Sequence, residues 1–283
     1  MKIKKASGAV EEFNSAKLLD SLLRAGADRG QAQEVIDRVI PQLESLASTR
    51  KIYRLAHKYL RKFNRSSVLR YSLKKALHRL GPSGYPFEKY IGEILRNYGY
   101  EVRTGVFVEG KCVKHEVDVF AVNDKEVSLI ECKYRNQASS APDVKIAMYV
   151  SARFQDIKPV ISSQYPHRVF KGWLITNTRF TSNAIQFAHC SGLHIKSWRY
   201  PEKESLEKMI EDVKLYPVTV LSTLNSAQIK KLIASHVVLM KDLASMEAQD
   251  IRQLLSITDK KARIIKKQAE DLCFCEVPAS PSH

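Results

Sequence analysis

Residues 115–122, HEVDVFAV, and 129–135, LIECKYR, read as two consecutive β-strands joined by a turn at 123–126. Side chains along a strand alternate faces with period two. Val127, Leu129, Glu131 and Lys133 therefore share one face, and Ser128, Ile130, Cys132 and Tyr134 the other. With Asp118 on the first strand, the acids and the lysine form a D-x12-E-x-K pattern. Two acids and a lysine converging at one end of a hairpin can hold a hard divalent cation and a water beside a phosphodiester. In the plainer reading, Asp118 accepts hydrogen bonds from a turn while Glu131 and Lys133 form an ion pair on an exposed sheet.

The chain around this hairpin has 283 residues, room for two or three small domains. Hydrophobic residues make up 44%, enough for packed cores rather than disorder. Lys and Arg number 46 against 30 acids, a formal charge of +16 that favours a polyanionic partner, nucleic acid being the commonest. Between Glu44 and Glu88 there is no acid at all but eleven Lys or Arg, more than a solvated helix face usually carries. The five cysteines (Cys112, Cys132, Cys190, Cys273 and Cys275) form no C-x-x-C pair, which favours free thiols in a reducing, cytoplasmic setting. No apolar run reaches membrane-spanning length, and the N-terminus lacks a signal-peptide core.

Residues 2–13 read as a hairpin turning at Ala6-Ser7-Gly8. Asn14 and Ser15 would cap a following helix with Leu18, Leu19, Leu22 and Leu23 as its stripe, and further helices reach about Leu80. Gly81-Pro82-Ser83-Gly84-Tyr85-Pro86 is a linker. After it, FEKYIGEILRNYGY (87–100) has apolar residues at helical spacing and ends at Gly99. Strands follow at about 100–109, 112–122 and 127–134, a helix near 142–157, the strand GWLITNT, the helix TSNAIQFAHCSG and the strand LHIKSW. This order predicts a mixed α/β sheet flanked by helices. From Leu206 to Leu272 the pattern is helical, and CEVPASPSH is a polar tail.

The opening helix FEKYIGEILRNYGYEV, the strand Asp118, the ECK tripeptide at 131–133 and GWLITNTRFTSNAIQFAHCSGLHI together resemble the Mrr-type restriction endonuclease domain of the PD-(D/E)xK superfamily. The resemblance implies that Asp118 and Glu131 ligate Mg²⁺ or Mn²⁺, with the backbone carbonyl of Cys132 as a third ligand. Lys133 would position the attacking water. An acid on the opening helix often joins such sites, which makes Glu88 either a fourth member or a solvated helix acid. Glu116 reads as a nearby or a surface acid, His115 as structural or surface, and Cys132 as a small buried side chain.

Residues 2–80 resemble the ATP-cone, a nucleotide-sensing domain known from ribonucleotide reductases, through KIKKASGAVEEFNSAKLLDSLLRA and SVLRYSLKKAL. The resemblance implies binding of ATP or dATP under a hairpin lid, with Lys4, Lys5, Gly8 and Lys17 at motif positions and Arg70 and Tyr71 matching a later pair more loosely. Ser7 departs from the family's usual Asp before the Gly. The alternative is a basic helical module that binds DNA directly. Residues 221–272 look faintly like helix-hairpin-helix repeats, but Ser235, His236, Thr258 and Asp259 stand where glycines are expected. Lys260, Lys261, Arg263, Lys266 and Lys267 could touch DNA there, or the helices could serve packing or dimerisation.

The expectation is thus a multi-domain α/β chain. Residues 1–82 form a helical bundle with a β-hairpin lid, 84–203 a restriction-endonuclease-like sheet, 206–272 a small helical domain and 273–283 a tail. Its function would be Mg²⁺-dependent endonucleolytic hydrolysis of DNA under ATP or dATP control, with a homodimer or higher oligomer favoured for double-strand cleavage. The alternative is a non-catalytic, nucleotide-sensing regulator that binds DNA.

Overall fold

The computed structural model describes residues 1–5, 8–63, 67, 68, 71–81 and 83–274. They divide into two units: Met1–Ala76 with Val218–His283, and Leu77–Pro217. This differs from the three-part layout expected from the sequence. The segment 206–217 belongs to the middle unit, because Leu206 and Ile210 are buried and the Tyr90 hydroxyl donates to the Leu215 carbonyl at 2.6 Å. The later helices group with the N-terminal segment, where Thr219 Oγ1 donates to the Ala76 carbonyl at 2.8 Å.

In the first unit, β1 (Lys2–Lys4) and β2 (Val10–Glu12) form the expected antiparallel hairpin. A third strand, β3 (Ala47–Ser48), pairs parallel to β1. At two residues it is too short to leave an alternating pattern in the sequence. Asn14 caps α1 (Ser15–Arg24) by accepting from the Lys17 N–H at 3.2 Å. Leu18 and Leu22 of this helix are buried, but Leu23 is exposed because it lies off the stripe's axis. Asp28 and Gln31 form a capping box at the start of α2 (Arg29–Val39). With α3 (Thr49–Leu60) these helices enclose a core of Leu22, Ala32, Val35, Val39, Ala56 and Leu60. A short helix, α4 (Leu73–Leu77), follows.

In the middle unit, α5 (Tyr85–Asn97) precedes β4 (Glu101–Glu109), β5 (Lys114–Val122) and β6 (Glu126–Lys133). Then come α6 (Val144–Gln164), β7 (Val169–Thr176), α7 (Ser182–Ser191), β8 (His194–Lys196) and α8 (Leu206–Val213). The five strands lie in the order β4-β5-β6-β7-β8. The first three are antiparallel and the last three parallel, with α6 and α7 as crossovers. The central strand β6 is buried along nearly its whole length, which is why VSLIEC reads as a run rather than an alternation. Ala147, Val150, Phe154 and Ile157 of α6 cover Leu129 and Leu174 on one face. Gly172 is required there, since a Cβ would lie 2.5 Å from Phe154 Cδ2. The helix α6 continues through Pro159, past the end expected at 157, and keeps burying Ile161.

The C-terminal part of the first unit is helical as expected: α9 (Ser226–Ala234), α10 (Met240–Ser245), α11 (Ala248–Leu255) and α12 (Asp259–Phe274). Left-handed turn positions fall at His236 and Ser256, so the chain makes both turns without glycine. Of Ser235, His236, Thr258 and Asp259, only His236 is such a position. No helix among the described residues is long and apolar enough to cross a membrane.

Candidate active site

β5 and β6 pair from Val122↔Val127 to Val119↔Ile130 and then part. Asp118 is the next residue, at the splay point. Opposite it on β4, the register between Thr104↔Val119 and Val106↔Val117 brings Gly105, with φ +61 and open space where a Cβ would sit. The Asp118 carboxylate reaches across the gap and accepts from the Cys132 N–H at 2.7 Å. Asp118 does accept a backbone hydrogen bond, as in the plainer reading, but from the strand that carries Glu131 and not from a turn.

Glu131 and Lys133 also form an ion pair, and again not the exposed one of the plainer reading. The Glu131 side chain is 4% exposed. Its second oxygen, Oε2, accepts from Arg153 Nη1 at 2.7 Å. The other guanidinium amine of Arg153 donates to the Glu116 carbonyl, and the group lies 5.5 Å from the Tyr149 ring centroid. Arg153 was not singled out in the sequence. It sits on α6 beside the buried positions Val150 and Phe154, and only the packing of α6 against β6 aims it at Glu131.

Glu88, in the first turn of α5, feels this cluster. Burial, then the charges of Asp118, Glu131 and Glu116, push its carboxyl up to about 7, against a smaller opposing pull from Lys133. Asp118 is pushed up to about 6 by burial and by Glu131, partly offset by the Cys132 N–H, Lys133 and Arg153. Four acids from two strands and a helix therefore share one electrostatic neighbourhood, and two of them hold their protons more tightly than usual. Cys132 is buried, and its thiol is pushed well up by desolvation, consistent with a packing role.

The far end of β6 is pinned by residues that the sequence did not single out. Thr176 Oγ1 donates to the Lys133 carbonyl at 2.7 Å. Asn177, fully buried, accepts from the Arg135 N–H at 2.8 Å and donates to the Arg135 carbonyl at 2.7 Å. The Tyr134 hydroxyl donates to the His78 carbonyl at 2.9 Å. These bonds fix the backbone from which Lys133 projects. His115 serves the turn before β5: its Nε2 lies 2.8 Å from Asp156 Oδ2, and Asp156 also accepts from the Cys112 and Val113 N–H groups.

The donor set suits a hard divalent cation in chemistry. Carboxylates crowd together, and burial followed by their mutual repulsion raises Asp118 and Glu88. Among the described residues no three His, Cys, Asp or Glu side chains form a ready-made metal cage, so side chains alone would not complete a coordination sphere.

In the first unit, Lys5 and Lys17 converge on Glu11, at 2.7 and 3.9 Å. Gly8 takes φ +88 in the hairpin turn, and Lys4 is exposed on β1. Tyr71 stacks on Tyr53 with ring centroids 5.2 Å apart and hydrogen-bonds Ser21, one helical turn from Lys17. Arg70, Ala6 and Ser7 lie outside the described residues.

Residues 81–200 match the family model of a restriction endonuclease domain, which points to a nuclease, and residues 216–273 match the AF1548-like C-terminal domain. An uncharacterized protein of Archaeoglobus fulgidus is 34% identical over 180 residues, covering 64% of this chain and 98% of the relative. The crystal structure of AF1548, a protein of unknown function, is 31% identical with a TM-score of 0.55, over 68% of this chain and 98% of that one. The MspJI restriction endonuclease bound to a 27-mer oligonucleotide aligns at 14% identity and a TM-score of 0.36, over 60% of this chain and 36% of that one. With nearly the whole length of its archaeal relative matched, the chain belongs to the AF1548-like family, and its middle part is restriction-endonuclease-like.

Proposed function

We propose that this chain is a Mg²⁺- or Mn²⁺-dependent endonuclease that hydrolyses DNA phosphodiesters at Asp118, Glu131 and Lys133, with Glu88 as a fourth acid. The observation that carries the reading is the buried Glu131, paired with the half-buried Lys133 beside Asp118, whose carboxyl is raised to about 6. Asp118, Glu131 and the Cys132 carbonyl would hold the cation. When bound, it would stabilise charge on the phosphoryl oxygens and acidify a water. Lys133 offsets phosphate charge and orients the attacking water. Thr176 and Asn177 keep the end of β6, and hence Lys133, in place. Arg153 holds the Glu131 carboxylate in one orientation from behind. The formal charge of +16 favours DNA as the polyanion.

Plasmid cleavage with Mg²⁺ or Mn²⁺ tests this reading, with Lys133→Ala as the control. Equal inertness of both proteins across supercoiled, modified and branched DNA would remove its main support.

A second reading is a non-catalytic DNA-binding regulator. It is favoured by the closure of Glu131, both of whose oxygens are taken by Lys133 and Arg153. Calorimetric binding of Mn²⁺ that is lost in Asp118→Asn would count against it.

Regulation by ATP or dATP belongs to the same proposal. Lys5 and Lys17 meeting at Glu11, with Tyr71 hydrogen-bonded to Ser21 one turn along α1 from Lys17, support a phosphate-binding role for Lys4, Lys5, Gly8 and Lys17 near Tyr71. Titration calorimetry with both nucleotides tests it, and undetectable binding at millimolar ligand would sink it.

A further inference from the structure

We propose that the middle unit carries a second ligand site, on the sheet face opposite Glu131, for a planar heteroaromatic ring bearing an anionic group, the chemistry of a nucleoside monophosphate. On β6 and β7 the side chains alternate, so Ile130, Trp173 and Ile175 face away from Glu131 and Leu174. They line a cavity of about 360 Å³ together with Tyr98, Tyr100 and Met209. That size falls in the lower part of the roughly 300–1,000 Å³ range of small-ligand clefts.

Two aromatic walls are held in place. The Tyr100 hydroxyl donates to Glu126 Oε1 at 2.6 Å, and the Trp173 ring stacks on His194 with centroids 4.7 Å apart. Such flat faces accept any base by stacking.

The anionic requirement comes from Lys196, which also lines the cavity and is 5% exposed. Its ammonium donates to the Glu204 carbonyl and lies 5.5 Å from the Trp173 centroid. It forms no ion pair with a carboxylate among the described residues. A buried ammonium has three donors and is costly without a counter-anion. Burial lowers its pKa, with a smaller opposing effect of Glu204. The neighbouring Lys208, also lining the cavity, is already paired with Asp212 at 2.7 Å, whereas Lys203, another lining residue, is exposed. A ring in the cavity with its phosphate on Lys196 and Lys203 would satisfy both features at once. The ligand's source is either a free mononucleotide or the 5′-terminal unit of an oligonucleotide.

The chain has two tryptophans, Trp173 and the buried Trp198, so intrinsic fluorescence reads the site directly. The full chain, in EDTA to silence metal chemistry, is titrated with dAMP, deoxyadenosine, inorganic phosphate and a 5′-phosphorylated tetranucleotide. Saturable quenching by dAMP with a Kd below about 1 mM is expected, weakened about tenfold or more for deoxyadenosine. Quenching by the tetranucleotide alone would assign the site to strand ends, still within the proposal. Trp173→Phe should abolish the signal, and Lys196→Met should weaken dAMP about tenfold while leaving deoxyadenosine unchanged. Lys203→Glu, at an exposed position, gives a second reading in the same direction if Lys196→Met does not fold. No quenching by any probe at millimolar concentration, or quenching undiminished in Trp173→Phe, or dAMP affinity unchanged in the lysine variants, overturns the proposal.

Discussion

Two buried glutamates stand at opposite ends of β6, and their surroundings separate a charge-balanced acid from a crowded one. Glu126 takes hydrogen bonds from the Tyr100 and Ser128 hydroxyls and an ion pair from Lys171. Burial works to raise its pKa, but these donors outweigh it and hold the carboxyl below the usual range. Among the described residues no other acid raises it. Glu131 is buried as deeply and bonded to two cations, yet Asp118 and Glu88 beside it are pushed up to about 6 and about 7. One end of the strand has its charge balanced. At the other, burial and neighbouring carboxylates together raise Asp118 and Glu88, which is costly for a scaffold and useful for a cation site.

The sharpest way to break this comparison is at Lys133. Lys133→Ala should lower metal-dependent plasmid cleavage by about 10²–10⁴-fold with little change in DNA affinity, measured by nicking rates and gel shift. A loss in Glu126→Gln of the same size would erase the distinction between the two ends.

The next effect is on stability. Asp118 has its folded pKa raised from 3.8 to about 6, so the folded state holds the proton longer than the unfolded chain. Its stabilising effect is full below pH 3.8 and is lost as pH rises through about 6. Metal-free protein should therefore lose at most about 3 kcal/mol from this group between those limits. Asp118→Asn keeps an oxygen for the Cys132 N–H and should flatten the curve in denaturant melts at stepped pH. A parallel pH profile in the variant would show that the crowding is not felt.

At the balanced end, Glu126→Gln leaves Lys171 without its carboxylate and should cost about 1–2 kcal/mol at neutral pH, with cleavage unchanged. Because the folded pKa of Glu126 is lowered, its contribution is present above the unfolded value and is lost as pH falls through the folded one, opposite in sign to Asp118.

Arg153→Lys retains charge but loses the two-pronged hold on Glu131 and the Glu116 carbonyl. A few-fold drop in cleavage rate is expected, with a Mn²⁺ affinity no weaker than that of the parent by calorimetry. His115→Gln, which loosens only the turn before β5, should cost less than about 1 kcal/mol and leave cleavage alone.

Much of this was legible in the residues themselves. Period-two alternation on β6 gave the shared face of Glu131 and Lys133, and the helical spacing of Phe87, Tyr90, Ile91 and Ile94 gave the opening helix. Local signals of this kind survive because strand pleat and helix pitch are set within a few residues. Less visible were the two-residue β3, the continuation of α6 through Pro159, and the grouping of Val218 onward with the N-terminal segment. Each depends on contacts distant in sequence, which no local pattern records.

Which chemistry the middle unit can carry is already written in its residue types and their spacing along two strands, since those are covalent facts. How that chemistry is charged follows from packing. The parting of β5 from β6 brings Asp118 onto the Cys132 N–H, the packing of α6 delivers Arg153 to Glu131, and α5 brings Glu88 close enough to share their field. Electrostatic coupling depends on distance and burial rather than on order along the chain. The same D-x12-E-x-K could therefore have been a solvated ion pair, and burial is what sets it apart from one.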